Sequence, residues 1–202
     1  MDSPFFLVLV GFVYIVVFGG MTVIRREHLS MRFAVEAIII TIVAAGVVYL
    51  TGINLHPVFF LAILYLITMR VRLLVDIANS FSHRKKFQIA EKLYNFAENA
   101  GTDPNTRIMV LINRGVARIQ QGKLDEAIQI LMTIIEHSVT EMMGMKYESA
   151  CYYNLGIAWY RKGEKSKARE QFQTVVDTWP VSEYARFSKI MLKKMSEENQ
   201  TN

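Results

Sequence analysis

Residues 152–180 read YYNLGIAWYRKGEKSKAREQFQTVVDTWP, and the fold of the chain is decided in this stretch. Tyr152, Leu155 and Trp159 recur at helical spacing up to Gly163, and Ala168, Phe172 and Val175 do the same up to Pro180. Glycine in the place just after a helix and proline that cannot continue one give two stops, hence two helices joined by a turn. Gly156 and Ala168 are small within otherwise bulky faces, which lets the two helices cross closely.

One such pair cannot bury its own apolar faces, so companions are expected. A shift of 41 places sets Gly115 on Gly156, Gly122 on Gly163, Ala127 on Ala168 and Leu131 on Phe172, and RGVARIQQGKLDEAIQIL becomes a second copy. A weaker copy lies upstream, where Ala78, Phe81, Ala90, Tyr94 and Ala97 take the places of Gly156, Trp159, Ala168, Phe172 and Val175, with Lys85 in place of the turn glycine. The second helix of the middle copy is expected to run from Lys123 to about Met143, absorbing the extra length. Asp103-Pro104 reads as a helix start, Gly101 as the close of the helix before it, and Ser182 as the cap of a final amphipathic helix to about Lys194 that covers the last copy. Residues 197–202 read as a frayed tail.

This pattern resembles the tetratricopeptide repeat, a helix-turn-helix unit of roughly 34 residues. The resemblance implies an all-α superhelix of about three repeats and a concave protein-binding groove lined from the first helix of each. Carried onto this sequence, the groove positions are Met109, Ile112, Asn113, Val116 and Ile119, then Ala150, Tyr153, Asn154, Ile157 and Tyr160, with Arg161 beside them. Asn113 and Asn154 hold equivalent places. Two roles stay open for them: pairing with the backbone of an extended ligand, or bonding to a neighbouring helix. The lining lacks the Lys/Arg clamp with which some relatives grip a terminal carboxylate, so an apolar or helical partner segment is expected.

The 202 residues are 52% hydrophobic, close to the globular average, but the charges gather after residue 75. Residues 5–24 carry no charge and match the roughly 30 Å of a bilayer core. The leader Met1-Asp2-Ser3-Pro4 has no basic residue, against a cleaved signal peptide. Further spans are expected at about 33–51 and 55–75, the last continuing without a break into the first repeat as one rigid helix. The expected organisation is a membrane domain over 1–76, repeats over 77–181, and a capping helix with tail over 182–202. Arg25, Arg26 and Arg32, then Arg70, Arg72, Arg84, Lys85 and Lys86, flank the spans, which predicts a plasma (inner) membrane protein with its amino terminus outside and its repeats cytoplasmic.

A net charge of +5 distributed in this way reads as membrane-flanking, and no nucleic-acid partner is expected. The single cysteine, Cys151, excludes an internal disulfide and a cysteine metal cluster, and reads as a buried helix residue. The four histidines are scattered and no phosphate loop or nucleophile elbow occurs, so no catalytic residue, metal or cofactor is expected. Glu36 within the second span has two readings, an ion or proton relay and an interfacial ion pair with Arg70 or Arg72; its place near the helix end favours the pair. Met142, Met143 and Met145 read as packing against the following helix or the membrane-proximal repeat, in preference to an adaptable binding surface. The function implied is a membrane-anchored interaction adaptor with the lipid bilayer and a protein of unknown identity as partners. The alternative is a structural or assembly subunit of a membrane complex, touching its neighbours through Gly11, Gly19, Ala44, Ala45 and Gly46.

Overall fold

A computed structural model describes residues 4–24, 31–100, 103–138 and 143–200. Among these residues the chain is all helix: α1 Pro4–Ile24, α2 Met31–Thr51, α3 Pro57–Thr68, α4 Arg70–His83, α5 Phe87–Asn99, α6 Pro104–Gln120, α7 Leu124–Ser138, α8 Met145–Lys162, α9 Lys165–Thr178 and α10 Glu183–Gln200. Arg25, Arg26, Glu27, His28, Gly101 and Met142 lie outside the described residues.

The first three helices form a small bundle. Gly11 of α1 lies so close to α2 that a Cβ there would meet Thr41 Oγ1 at 2.3 Å. Leu7, Tyr14, Phe33, Phe60 and Leu64 fill the space between the helices. Outside that seam Val13, Val17, Ile42 and Val43 are exposed, a surface suited to hydrocarbon and ill suited to water. Among the described residues only α1 and α2 are long and apolar enough to cross a bilayer singly. The third such length exists as the pair α3 and α4, bent by 71°.

That bend corrects the expectation of one rigid helix from span to repeat. No Gly or Pro stands at the break, where Met69 adopts φ −100°, ψ 7°. A side chain imposes it: Arg70 Nη1 and Nη2 donate to the Glu36 carboxylate at 2.6 and 2.9 Å, its Nε donates to the Ala100 carbonyl at 3.1 Å, and Nη1 also meets the Ile67 carbonyl at 2.6 Å. One guanidinium thereby fastens α2, the end of α3 and the end of α5 together. Arg32 completes the pair from the far side, its Nε donating to Glu36 at 2.8 Å.

The remaining helices pair as α4/α5, α6/α7 and α8/α9, with α4, α6, α8 and α10 in contact along one side. The three turns are built alike. Lys86, Lys123 and Glu164 donate their N–H to the carbonyls of Phe81, Arg118 and Trp159, and Lys85, Gly122 and Gly163 donate to Ser82, Ile119 and Tyr160. These are the two bonds of a Schellman closure. Its left-handed residue is Gly122 (φ 77°), Gly163 (φ 90°) and, in the first pair, Lys85 (φ 59°). Seven residues before each stands Ala78, Gly115 or Gly156; nine after each stands Tyr94, Leu131 or Phe172, at most 1% exposed. The small residue admits the large one: a Cβ on Gly156 would stand 2.7 Å from the Phe172 ring, and one on Gly115 would stand 3.2 Å from Leu131.

Two boundaries differ from the sequence reading. α7 is described as far as Ser138, residues 139–142 lie outside the described residues, and Met143, its expected end, is not helical but buried with Ile134 and Tyr147 in the core between α7 and α8. α10 runs to Gln200 instead of Lys194. Its end is held by Glu198, which accepts from Tyr160 Oη at 2.5 Å and pairs with Lys165 Nζ at 3.0 Å. The expected caps form elsewhere, with Asp103 accepting from the N–H of Thr106 and Ser182 from that of Ala185. Cys151 is fully buried, donates to the Leu131 carbonyl at 3.6 Å, and its thiol is pushed up by burial.

Candidate protein-binding groove

Counting nine residues back from each left-handed turn residue gives Asp76, Asn113 and Asn154. These three share one register on α4, α6 and α8, and all three line a cavity of about 590 Å³ on the inner side of the repeats. Its floor is completed by Arg72, Asn79, Met109, Ile112, Val116, Lys146 and Ala150. Tyr147 and Tyr184 also line it. The other wall comes from the bundle: Phe18 and Met21 of α1, Tyr65 of α3 and Met69 at the bend. The concave face therefore looks at the ends of the apolar helices.

The polar groups in this cavity are partly engaged. Tyr94 Oη donates to Asn79 Oδ1 at 2.6 Å, Asn79 Nδ2 donates to Asn113 Oδ1 at 2.9 Å, and Asn113 Nδ2 donates to the Met109 carbonyl at 2.7 Å. This chain fixes the amide of Asn113 between two repeats, and burial at its far end pushes the Tyr94 phenol up to about 12. Asn154 donates to the Ala150 carbonyl at 2.8 Å. Its side-chain carbonyl has no partner among the described residues and is free to accept from a ligand.

The residues assigned to the groove from sequence fall into three places. Met109, Ile112, Asn113, Val116, Ala150 and Asn154 line the cavity. Ile119 is 4% exposed, and its carbonyl accepts from Arg161 Nη1 at 3.2 Å, so both serve the contact between α6 and α8. Tyr153, Ile157 and Tyr160 lie under the chain's own last helix. Tyr153 packs its ring 5.5 and 6.0 Å from Tyr184 and Phe187, and Ile157 and Tyr160 pack against the cluster of Ala168, Phe172 and Met195. Sequence reasoning did not assign Arg72, Asp76, Asn79 and Lys146. The register of Asp76 was available from the turn count once Lys85 stood at the turn, but groove positions were carried only onto the two copies that keep the turn glycine.

Stacked antiparallel pairs with a shared turn and a concave inner face define a helical-repeat protein, a class that works by contact with other chains. Residues 150–181 match the family model described as "Tetratricopeptide repeat", and this part of the chain is such a repeat. Repeats of this kind are typically non-enzymatic protein-interaction modules. No curated protein and no solved structure matches the chain. Among the described residues no three His, Cys, Asp or Glu side chains gather as a metal site.

Proposed function

We propose that this protein is a membrane-anchored interaction adaptor, which holds a protein segment in the cavity between the concave face of its repeats and the ends of α1 and α3. The observation that carries the reading is the composition of that cavity, with the unengaged amide oxygen of Asn154 beside Met109, Ile112 and Val116. Amides can pair with a backbone while the aliphatic groups take side chains. Because α10 covers Tyr153, Ile157 and Tyr160, the site takes a short segment and not one threading the whole superhelix. The repeats face the cytoplasm of a plasma (inner) membrane crossed three times, supported by Arg70 and Arg72 directly after α3 and by Arg84, Lys85 and Lys86 after α4. Domain limits near 76 and 182 belong to the same reading. Tethering raises the local concentration of the partner at the bilayer without making or breaking a bond.

Affinity purification of the full chain from native membranes tests this. Val116→Arg and Asn154→Ala are expected to lose the co-purifying protein while the helical melting curve stays in place. Undiminished recovery from both variants counts against the groove.

A second reading, a subunit of a larger membrane complex, has one observation in its favour. Gly11 is used inside the chain against Thr41, whereas a Cβ on Gly46 of α2 would meet nothing within 4 Å, which leaves room for a neighbouring helix. Crosslinks concentrated at Gly46 instead of at Val116 would favour it.

A further inference from the structure

We infer that the carboxyl-terminal turns of α5 lie in the surface of the bilayer, with the ring of Phe96 inserted among lipid. This goes beyond the groove and rests on the reading of α1 and α2 as spans.

The argument is one of depth. α1 and α2 each have 21 residues, about 32 Å of helix, enough to cross a hydrocarbon core of about 30 Å. α3 has 12, about 18 Å. Its end is level with the middle of α1, because Tyr14 Oη and Thr68 Oγ1 lie 2.7 Å apart. Beyond Tyr14, residues 15–24 carry α1 about 15 Å further toward the repeats. The first repeat thus begins alongside the apolar end of the α1–α2 hairpin and not past it.

Arg70 brings α5 to that level. It holds Glu36, five residues into α2, and at the same time the carbonyl of Ala100, just after α5. Phe96 precedes Ala100 by about one turn, roughly 6 Å of rise. A helix end tied to the side of a span is within reach of lipid, and Phe96 is 64% exposed there. It shares the outer stripe of α5 with Ile89, 43% exposed, and Lys92, while Lys85 and Lys86 stand exposed before the helix. Apolar side chains with interleaved lysines are the surface by which a helix rests on anionic headgroups.

Nitroxide labels on the full chain in lipid nanodiscs, probed by collision with oxygen and with a water-soluble nickel chelate, test the inference. Labels enter as Phe96→Cys, Val13→Cys on α1 and Met132→Cys on α7; the native Cys151 is fully buried and its thiol is pushed up, so it is not labelled. The expected result is loss of nickel collisions at Phe96, as at Val13, with full collisions at Met132. Protection at Val13 combined with access at Phe96 equal to that at Met132 overturns the inference and leaves the spans standing. Access at Val13 itself overturns the spans, and the inference with them.

Discussion

The first and last repeats reach the same architecture with different residues. In α8/α9 a glycine accommodates Phe172 and a second glycine makes the turn; in α4/α5 alanine faces Tyr94 and lysine makes the turn. The last repeat is covered by the chain's own α10, whereas the first is fastened to the bundle by Arg70. Helix pairing is thus set by complementary volume at one crossing, and the environment of each pair decides what its outer faces carry.

The largest way to break this comparison is at the crossing. Phe172→Ala empties a site that is 0% exposed and should cost about 3–5 kcal/mol, read as a lower midpoint in urea unfolding followed by circular dichroism; a loss under about 1 kcal/mol would mean that the volumes are not matched. Gly156→Ala comes next. The new methyl stands 2.7 Å from the ring, so an overpacking cost of about 1–3 kcal/mol opposes a helix gain of about 1 kcal/mol. Gly115→Ala, at 3.2 Å from a leucine that can shift, should be nearly neutral by the same assay.

Smaller still is the turn. Lys85→Gly relieves a left-handed lysine and should stabilise by about 0.5–1 kcal/mol, whereas Gly163→Ala at φ 90° should destabilise by about 1 kcal/mol. Equal signs for the two would show that the turns are not alike. At neutral pH the smallest effect is that of Tyr94. Its phenol is raised to about 12, so the folded state keeps a proton that the unfolded chain sheds near 10; stability is complete below pH 10 and falls as pH rises from 10 to 12. Tyr184, raised to about 12 by burial, adds to the same fall. Alkaline unfolding curves of Tyr94→Phe should show a shallower decline than those of the parent chain.

Much of this was legible in the sequence, for physical reasons. Gly156, Gly163, Ala168 and Pro180 each have a local cause, and the helix pair follows from them without tertiary knowledge. An ion pair of Glu36 with Arg70 or Arg72 was legible from depth, but not which of the two would make it. The 71° bend was not, because nothing local at Met69 breaks a helix; the cause is a guanidinium shared with Glu36 and a carbonyl thirty residues on. That Met109, Ile112, Asn113, Val116 and Asn154 share one face was legible by register, but not that Tyr153, Ile157 and Tyr160 would be covered, since a capping helix and a ligand can satisfy the same aromatic face. The walls given by Phe18, Met21 and Tyr65 depend on how two helical bodies meet, which periodicity does not encode.

The central claim is that the cavity beside the apolar helices is where another protein is held. A photoreactive amino acid placed at Val116, in the cavity, and at Met132, exposed on α7, compares the two surfaces directly in native membranes. The account predicts a discrete protein adduct from position 116 and none from position 132; no adduct at 116, or the same adducts at both, would contradict it.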